Sequence, residues 1–193
     1  MALLDLRLGE FLDEVAAEGK TPGGGSVAAL VTAAAAGLLA KVARESKDGW
    51  AEARGIAAQA ESLRDRAAPL AQLSAEQYEA ALRALDDPDA SPSERRDFEL
   101  GRAYARAAEP PLRIVEAATD VAQLAATVAR NGDPSLRADA ATAGVLAAAA
   151  ARAAAELVAV NLTASSTDER ARRARALAGE AARAADEAFA SGA

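Results

Sequence analysis

With no Cys and no His among its 193 residues, the chain has no thiolate nucleophile, imidazole acid–base pair, disulfide or Cys/His zinc site. Carboxylates, hydroxyls, amides, cationic side chains and backbone dipoles are left to do chemistry. The run Thr21-Pro22-Gly23-Gly24-Gly25-Ser26 joins unhindered backbone amides to a helix start. Such N–H groups, with the positive end of the helix dipole behind them, can hold a carboxylate or a developing negative charge. The same run also suits a tight turn that lets two helices pack closely, and the local pattern does not choose between the two. It is not a Walker A loop, since no Lys-Ser/Thr follows the last glycine, nor a Rossmann fingerprint, since no strand precedes it.

Asp139 is the second candidate, a carboxylate at the mouth of a strongly apolar helix, where burial would make it a usable acid or base. Its competing role is an N-cap or first-turn charge that complements the helix dipole. Asn161, near the far end of the same helix, either hydrogen-bonds a ligand or caps the C-terminus. Two other clusters are set aside. Asp87 to Ser91 has the look of a calcium loop, but Phe98 stands where the bidentate Glu belongs. Arg170, Arg172, Arg173 and Arg175 are interleaved with Asp168, Glu169 and Glu180 and read as a solvated helix face. The 22 Lys+Arg against 29 Asp+Glu, net −7, argue against a nucleic-acid binder, and no segment reads as a targeting signal.

The elements that must position these residues are helical. Alanine supplies roughly three residues in ten and is the best helix former. No alternating Val/Ile/Thr run suggests a strand. Leu4, Leu8, Phe11, Leu12 and Val15 recur at helical spacing and predict an amphipathic helix ending at Gly19. The glycine run stops that helix and permits positive φ. A second helix runs from Ser26 to about Lys47. Its Val27–Ala40 segment is apolar almost all round, which places it at the centre of a bundle or in a subunit interface; 14 residues broken by Thr32 and Gly37 are too short for a membrane span.

Further along, residues from about Trp50 to Leu85 predict one long helix bent at Pro69. A loop follows at Asp86–Ala90, then a helix start with Ser91 as N-cap, Pro92 at N1 and Glu94 completing a capping box. That helix breaks or kinks at Pro110-Pro111 and ends at Asn131-Gly132, and Asp133-Pro134 opens the next. Alanine-rich sequence runs from about Asp139 to Ala164, and Ser166 with Glu169 opens a last helix to about Phe189. The expectation is an all-α bundle of long, partly kinked helices in a single domain over 1–193. Because alanine contributes little apolar area, the core of a lone monomer would be thin, and dimerisation through alanine-rich helices is expected. The expected compartment is the cytoplasm.

Phe11-Leu12-Asp13-Glu14-Val15-Ala16, then Thr21-Pro22-Gly23-Gly24-Gly25-Ser26-Val27-Ala28-Ala29-Leu30, then an Ala/Leu-rich helix, closely resemble the opening of the cyclodeaminase/cyclohydrolase family. That family includes the cyclodeaminase domain of formiminotransferase-cyclodeaminase and the methenyltetrahydrofolate cyclohydrolases. The resemblance continues through Pro110-Pro111, Gly132, Asp139-Ala140 and Val158-Ala159-Val160-Asn161-Leu162. It implies an all-helical, dimer-based protein that hydrolyses 5,10-methenyltetrahydrofolate or cyclodeaminates 5-formiminotetrahydrofolate without metal or redox cofactor. In that reading Asp139 is the acid–base group and Glu76 assists. Gly23, Gly24, Gly25 and Ser26 supply backbone donors, while Ser26 and Asn161 orient the ring. The chain departs from the pattern at polar positions. Ser74 stands where the family has an Asp four residues before the aromatic, here Tyr78; Asp133 replaces an Asn; and Leu157 replaces the first Asn of an Asn-Val-x-Ile-Asn run. These departures leave a second reading, a non-catalytic folate-binding or structural helical homologue.

Overall fold

Alanine's short side chain lets helix backbones approach one another closely, and the packing follows from that. The computed structural model describes residues 2–19, 21–85, 94–162 and 168–190. Its helices are α1 (Leu8–Ala16), α2 (Gly24–Glu45), α3 (Ala53–Ala67), α4 (Leu70–Leu85), α5 (Glu94–Ala107), α6 (Glu109–Asn131), α7 (Arg137–Asn161) and α8 (Glu169–Ala190). No strand occurs among the described residues. Helices α2, α6, α7 and α8 form the centre, α3 lies along α2, and α4 with α5 forms a pair laid against α2 and α6. Helices α2 and α7 run antiparallel: Gly24 approaches Leu157 at one end, and Lys41 pairs with Asp139 at the other.

Few large side chains fill the core. Leu39, Leu70, Ile114, Val42, Val115, Val121, Val128 and Val158 are its largest fully buried aliphatic residues, and alanine supplies most of the remainder. At Gly144 of α7 three helices meet so closely that an added Cβ would lie 3.2 Å from Ala125 Cβ and 3.6 Å from Ala185 Cα. The buried hydroxyls of Thr32 and Thr119 donate to carbonyls four residues back, so neither is left without a partner.

Helix ends obey the proline and glycine signals. Pro69 lies at the break between α3 and α4, Pro110 and Pro111 fall in the first turn of α6, and Gly132 follows its last residue. Asp133 caps a short 3₁₀ turn, Pro134–Leu136, that leads into α7. At the start of α8 the cap is Asp168, whose carboxylate accepts from the Arg170 amide at 2.8 Å. The predicted loop at Asp86–Ala90 and the caps at Ser91, Pro92 and Ser166 lie outside the described residues.

Three expectations change. The single bent helix expected from about Trp50 to Leu85 is two helices, α3 and α4, divided at Pro69. The first amphipathic stretch folds as a 3₁₀ turn, Leu3–Asp5, followed by α1, but only Phe11 of its apolar stripe is buried; Leu4, Leu8, Leu12 and Val15 are exposed. The periodicity identified a helix, not a core element. Helix α2 extends to 22 residues, long and apolar enough to cross a bilayer by length and composition, as is Pro134–Asn161. Ala29, Ala35, Ala36 and Leu39 of α2 have no exposed surface, so that face of the helix packs into the core of its own chain.

Close approach makes added volume costly here. Gly144→Val should lower the unfolding free energy by about 1–3 kcal/mol by overpacking three helices. Gly55, with open space around its Cα, should instead gain about 0.5–1 kcal/mol when replaced by Ala. Urea denaturation of both variants checks the pair.

Candidate functional site

Gly23 is extended, at φ −119° and ψ −160°, and caps α2. The first hydrogen bond of the helix runs from Val27 N to Gly23 O at 3.1 Å. The amides of Gly24, Gly25 and Ser26 therefore have no acceptor within their own helix. No glycine among the described residues has positive φ, so the left-handed backbone that the run permits is not used there: room is the constraint. A Cβ on Gly25 would fall 2.0 Å from Ser74 Oγ and 3.1 Å from Ser74 Cβ, whereas one on Gly24 would meet Leu157 Cδ1 at an ordinary 3.8 Å. Ser26 is fully buried and its hydroxyl donates to Ala71 O at 2.8 Å, tying α2 to α4.

Above this turn lies a cavity of 270 Å³. Its wall is built from the turn itself, from Ser74, Ala75 and Tyr78 of α4, from Ala107 and Pro111 at the α5–α6 joint, and from Leu157, Val160 and Asn161 at the end of α7. A second cavity of 640 Å³ shares Tyr78, Val160 and Asn161 with it and extends between α5 and the start of α8, past Tyr104 and Leu100, to Asp97, Asp168 and Arg170. Together they have the size of an ordinary small-molecule site, about 300–1,000 Å³. The smaller cavity is lined by hydroxyls, an amide, a phenol and backbone amides, with no ionised side chain among its lining residues.

Asn161 is fixed by a consequence of proline chemistry. In a continuous helix the Ala107 carbonyl would accept from the residue four places on, but that residue is Pro111, which has no N–H. Asn161 Nδ2 donates to that carbonyl instead, at 3.2 Å. The bond holds the amide plane at the junction of the two cavities and leaves the side-chain oxygen to accept from a ligand.

The expected site residues divide. Gly23, Gly24, Gly25, Ser26 and Asn161 come together around the smaller cavity, with Ser74 facing the turn. Asp139 does not join them. It sits in the first turn of α7, paired with Lys41 at 3.7 Å, about 33 Å along the helix from Asn161 at 1.5 Å per residue. That placement is the dipole-complementing role. Glu76 also points away: it is exposed and accepts from Gln72 Nε2 at 2.9 Å, about 200° around α4 from Ser74. The carboxylate brought to the cavity's edge is Glu79, which accepts a hydrogen bond from the hydroxyl of Thr21, a lining residue, and lies 3.6 Å from Arg83 Nη1. Tyr78 and Thr21 were missed as site residues, although one follows Ser74 by a helical turn and the other belongs to the glycine motif. Among the described residues, no group of three or more acidic side chains is arranged to hold a metal ion.

At the far end of the larger cavity, hydrogen bonds from the Arg170 side chain, and then from its amide, hold the Asp168 carboxyl below the usual carboxylate range. Arg170 also donates to Ala105 O at 3.3 Å, so the pair ties α8 to α5.

The family described as formiminotransferase-cyclodeaminase matches residues 7–180. Among solved structures, formiminotetrahydrofolate cyclodeaminase from Thermotoga maritima is similar, with a TM-score of 0.80 and 24% identity over 98% of this chain and 94% of that one. No curated protein matches the chain.

The spacing at the turn predicts a sharp contrast between neighbours. Gly25→Ala should weaken ligand binding and cost about 1–3 kcal/mol in stability, while Gly24→Ala should stay within about 1 kcal/mol of the parent; thermal melts and a binding titration check both. Asp168 gives a pH prediction. A carboxyl whose folded pKa is depressed adds stability above its ordinary pKa and loses it as pH falls through the folded value. The stability gap between the parent and Asp168→Asn should be constant above pH ~5 and shrink below pH ~4, measured by denaturation across that range.

Proposed function

Since the chain belongs to the formiminotransferase-cyclodeaminase family, we propose that it acts in the cytoplasm on the one-carbon unit of a tetrahydrofolate derivative. The reaction is hydrolysis of 5,10-methenyltetrahydrofolate or cyclodeamination of 5-formiminotetrahydrofolate. The observation that carries this reading is the glycine turn, whose three unpaired helical amides open onto a cavity that also holds Asn161. A flat, hydrogen-bonding pterin suits that smaller cavity, and the aminobenzoyl part suits the larger one beside Tyr78 and Tyr104.

Both reactions pass through a tetrahedral carbon between N5 and N10. In hydrolysis, water adds to the bridging carbon, one C–N bond breaks to leave a formyl group, and a proton is released. In cyclodeamination, N10 attacks the formimino carbon, the C–N bond to the departing nitrogen breaks, and ammonia leaves. Each needs a group to carry a proton and fixed dipoles for the changing charge. The amides of Gly24, Gly25 and Ser26 supply dipoles, and Asn161 orients the ring. Glu79, relayed through the Thr21 hydroxyl, is the carboxylate in reach. A second reading, a folate-binding homologue without turnover, is favoured by one observation: Ser74 and Leu157 occupy polar family positions on the cavity wall, and no carboxylate lines it.

Absorbance of methenyltetrahydrofolate and ammonia release from the formimino compound, measured beside a binding titration, test both. Turnover in either assay supports the enzyme. Glu79→Gln should then lower it by about 10²–10⁴-fold with folding intact, and Asn161→Ala should weaken binding. Binding without turnover supports the second reading, in which case Ser74→Asp should restore measurable activity. Failure to bind either folate would overturn both.

A further inference from the structure

The charged side chains on the walls of the two cavities are gathered at one end. Among the described lining residues they are Asp97, Asp168 and Arg170, all on the larger cavity. Two carboxylates therefore face one guanidinium, and that guanidinium is already engaged. Nε and Nη2 of Arg170 donate to the two oxygens of Asp168 at 3.1 and 2.8 Å, and Nη1 donates to Ala105 O at 3.3 Å. The hydrogen bonds to Asp168 hold Arg170 above its usual range, and the charges of Asp168 and of Glu109, at the start of α6, add to the effect. The N-terminus of α8 offers no substitute cation, since the Asp168 carboxylate already accepts from the Arg170 amide there. Asp97, in the first turn of α5, is exposed and forms no ion pair among the described residues. The segments that join α4 to α5 and α7 to α8, residues 86–93 and 163–167, contain neither Lys nor Arg.

We propose that this end of the larger cavity selects the substrate by the charge of its tail: a folate with a single glutamate is taken in preference to a polyglutamyl form, and Asp97 is the specificity-determining residue. The proposal rests on the folate reading above. With the pterin at the glycine turn and the aminobenzoyl ring beside Tyr78 and Tyr104, the amide that joins ring to glutamate continues past Leu100 toward Asp97 and the Asp168–Arg170 pair. Each further γ-linked glutamate adds one negative charge to the tail. A tail that grows at this end meets an unpaired carboxylate and a cation whose charge is already balanced. Freeing Arg170 for the ligand would trade one bidentate carboxylate for another, with no net gain. Acting through water at low salt, one uncompensated carboxylate weakens binding of an added negative charge by about two- to threefold, and salt screens the effect.

The test compares each folate of the assays above with one glutamate and with five, by Kd where it only binds and by kcat/KM where it turns over. At ~20 mM salt the monoglutamyl form should be favoured by about threefold or more, and the ratio should fall toward one at ~500 mM. Asp97→Asn should bring the low-salt ratio near one, and Asp97→Lys should reverse the preference. Asp186→Lys makes the same change in net charge as Asp97→Lys but lies about 24 Å along α8 from Arg170; it should leave the ratio unchanged. Equal or tighter binding of the pentaglutamyl form by the parent, the result that an Arg170 anchor would give, overturns the proposal and leaves the folate reading standing. So does a ratio that Asp97→Lys fails to move, or that both lysine variants move alike. If neither folate binds with either tail, the folate reading fails and the proposal falls with it.

Discussion

The space of a single methyl group between Gly25 and Ser74 is the contact on which the site depends. Because Gly25 has no Cβ, α4 can lie against the first turn of α2, and Ser26 can reach the Ala71 carbonyl. That contact brings Tyr78 and Thr21 to the wall of one cavity and places the Glu79 carboxylate on the Thr21 hydroxyl. The same closeness recurs at Gly144, where α6, α7 and α8 meet. In a bundle whose backbones touch through glycine and alanine, these two cavities open beside helix ends: the start of α2, the α5–α6 joint, the end of α7 and the start of α8.

Proline does complementary work. Pro110 and Pro111 interrupt the helical ladder between α5 and α6, and each removes a donor that an upstream carbonyl would have used. The Ala107 carbonyl is thereby released to Asn161, and Ala105 O, one helical turn before the α6 start, accepts from Arg170. Two side chains from different helices converge on the joint, one at each cavity. Asn161, which marks the site, also replaces the donor that Pro111 lacks.

The sequence disclosed the helices and their interruptions because those depend on local chemistry: Pro69, Pro110-Pro111, Gly132 and Asp133 act on their own neighbours. The glycine turn and Asn161 were also legible, since the motif resembles a known opening and the two lie at facing ends of antiparallel helices. Asp139 and Glu76 were misplaced for a tertiary reason. An acidic residue at the start of an apolar helix looks the same whether that end of the helix meets the cavity or, as here, meets Lys41 at the opposite pole. Glu76 and Glu79 differ by three residues on one exposed-to-buried boundary, and only the position of Thr21 tells them apart. The amphipathic pattern of α1 marked an apolar face but could not say that its own chain leaves that face uncovered.

A core made of alanine also changes what folding demands of side chains. Alanine has no rotamers to lose, so ordering these helices removes little side-chain entropy, whereas a core of leucine or methionine would freeze many torsions. The gain in buried area per residue is correspondingly small. Substitution in such an interior is therefore lopsided: trimming an alanine removes little volume, while almost any replacement adds volume and introduces torsions that must be fixed. At the close contacts of α2, α6 and α7 only the smallest residues fit without strain, a restriction that helix ends and uncovered faces do not share.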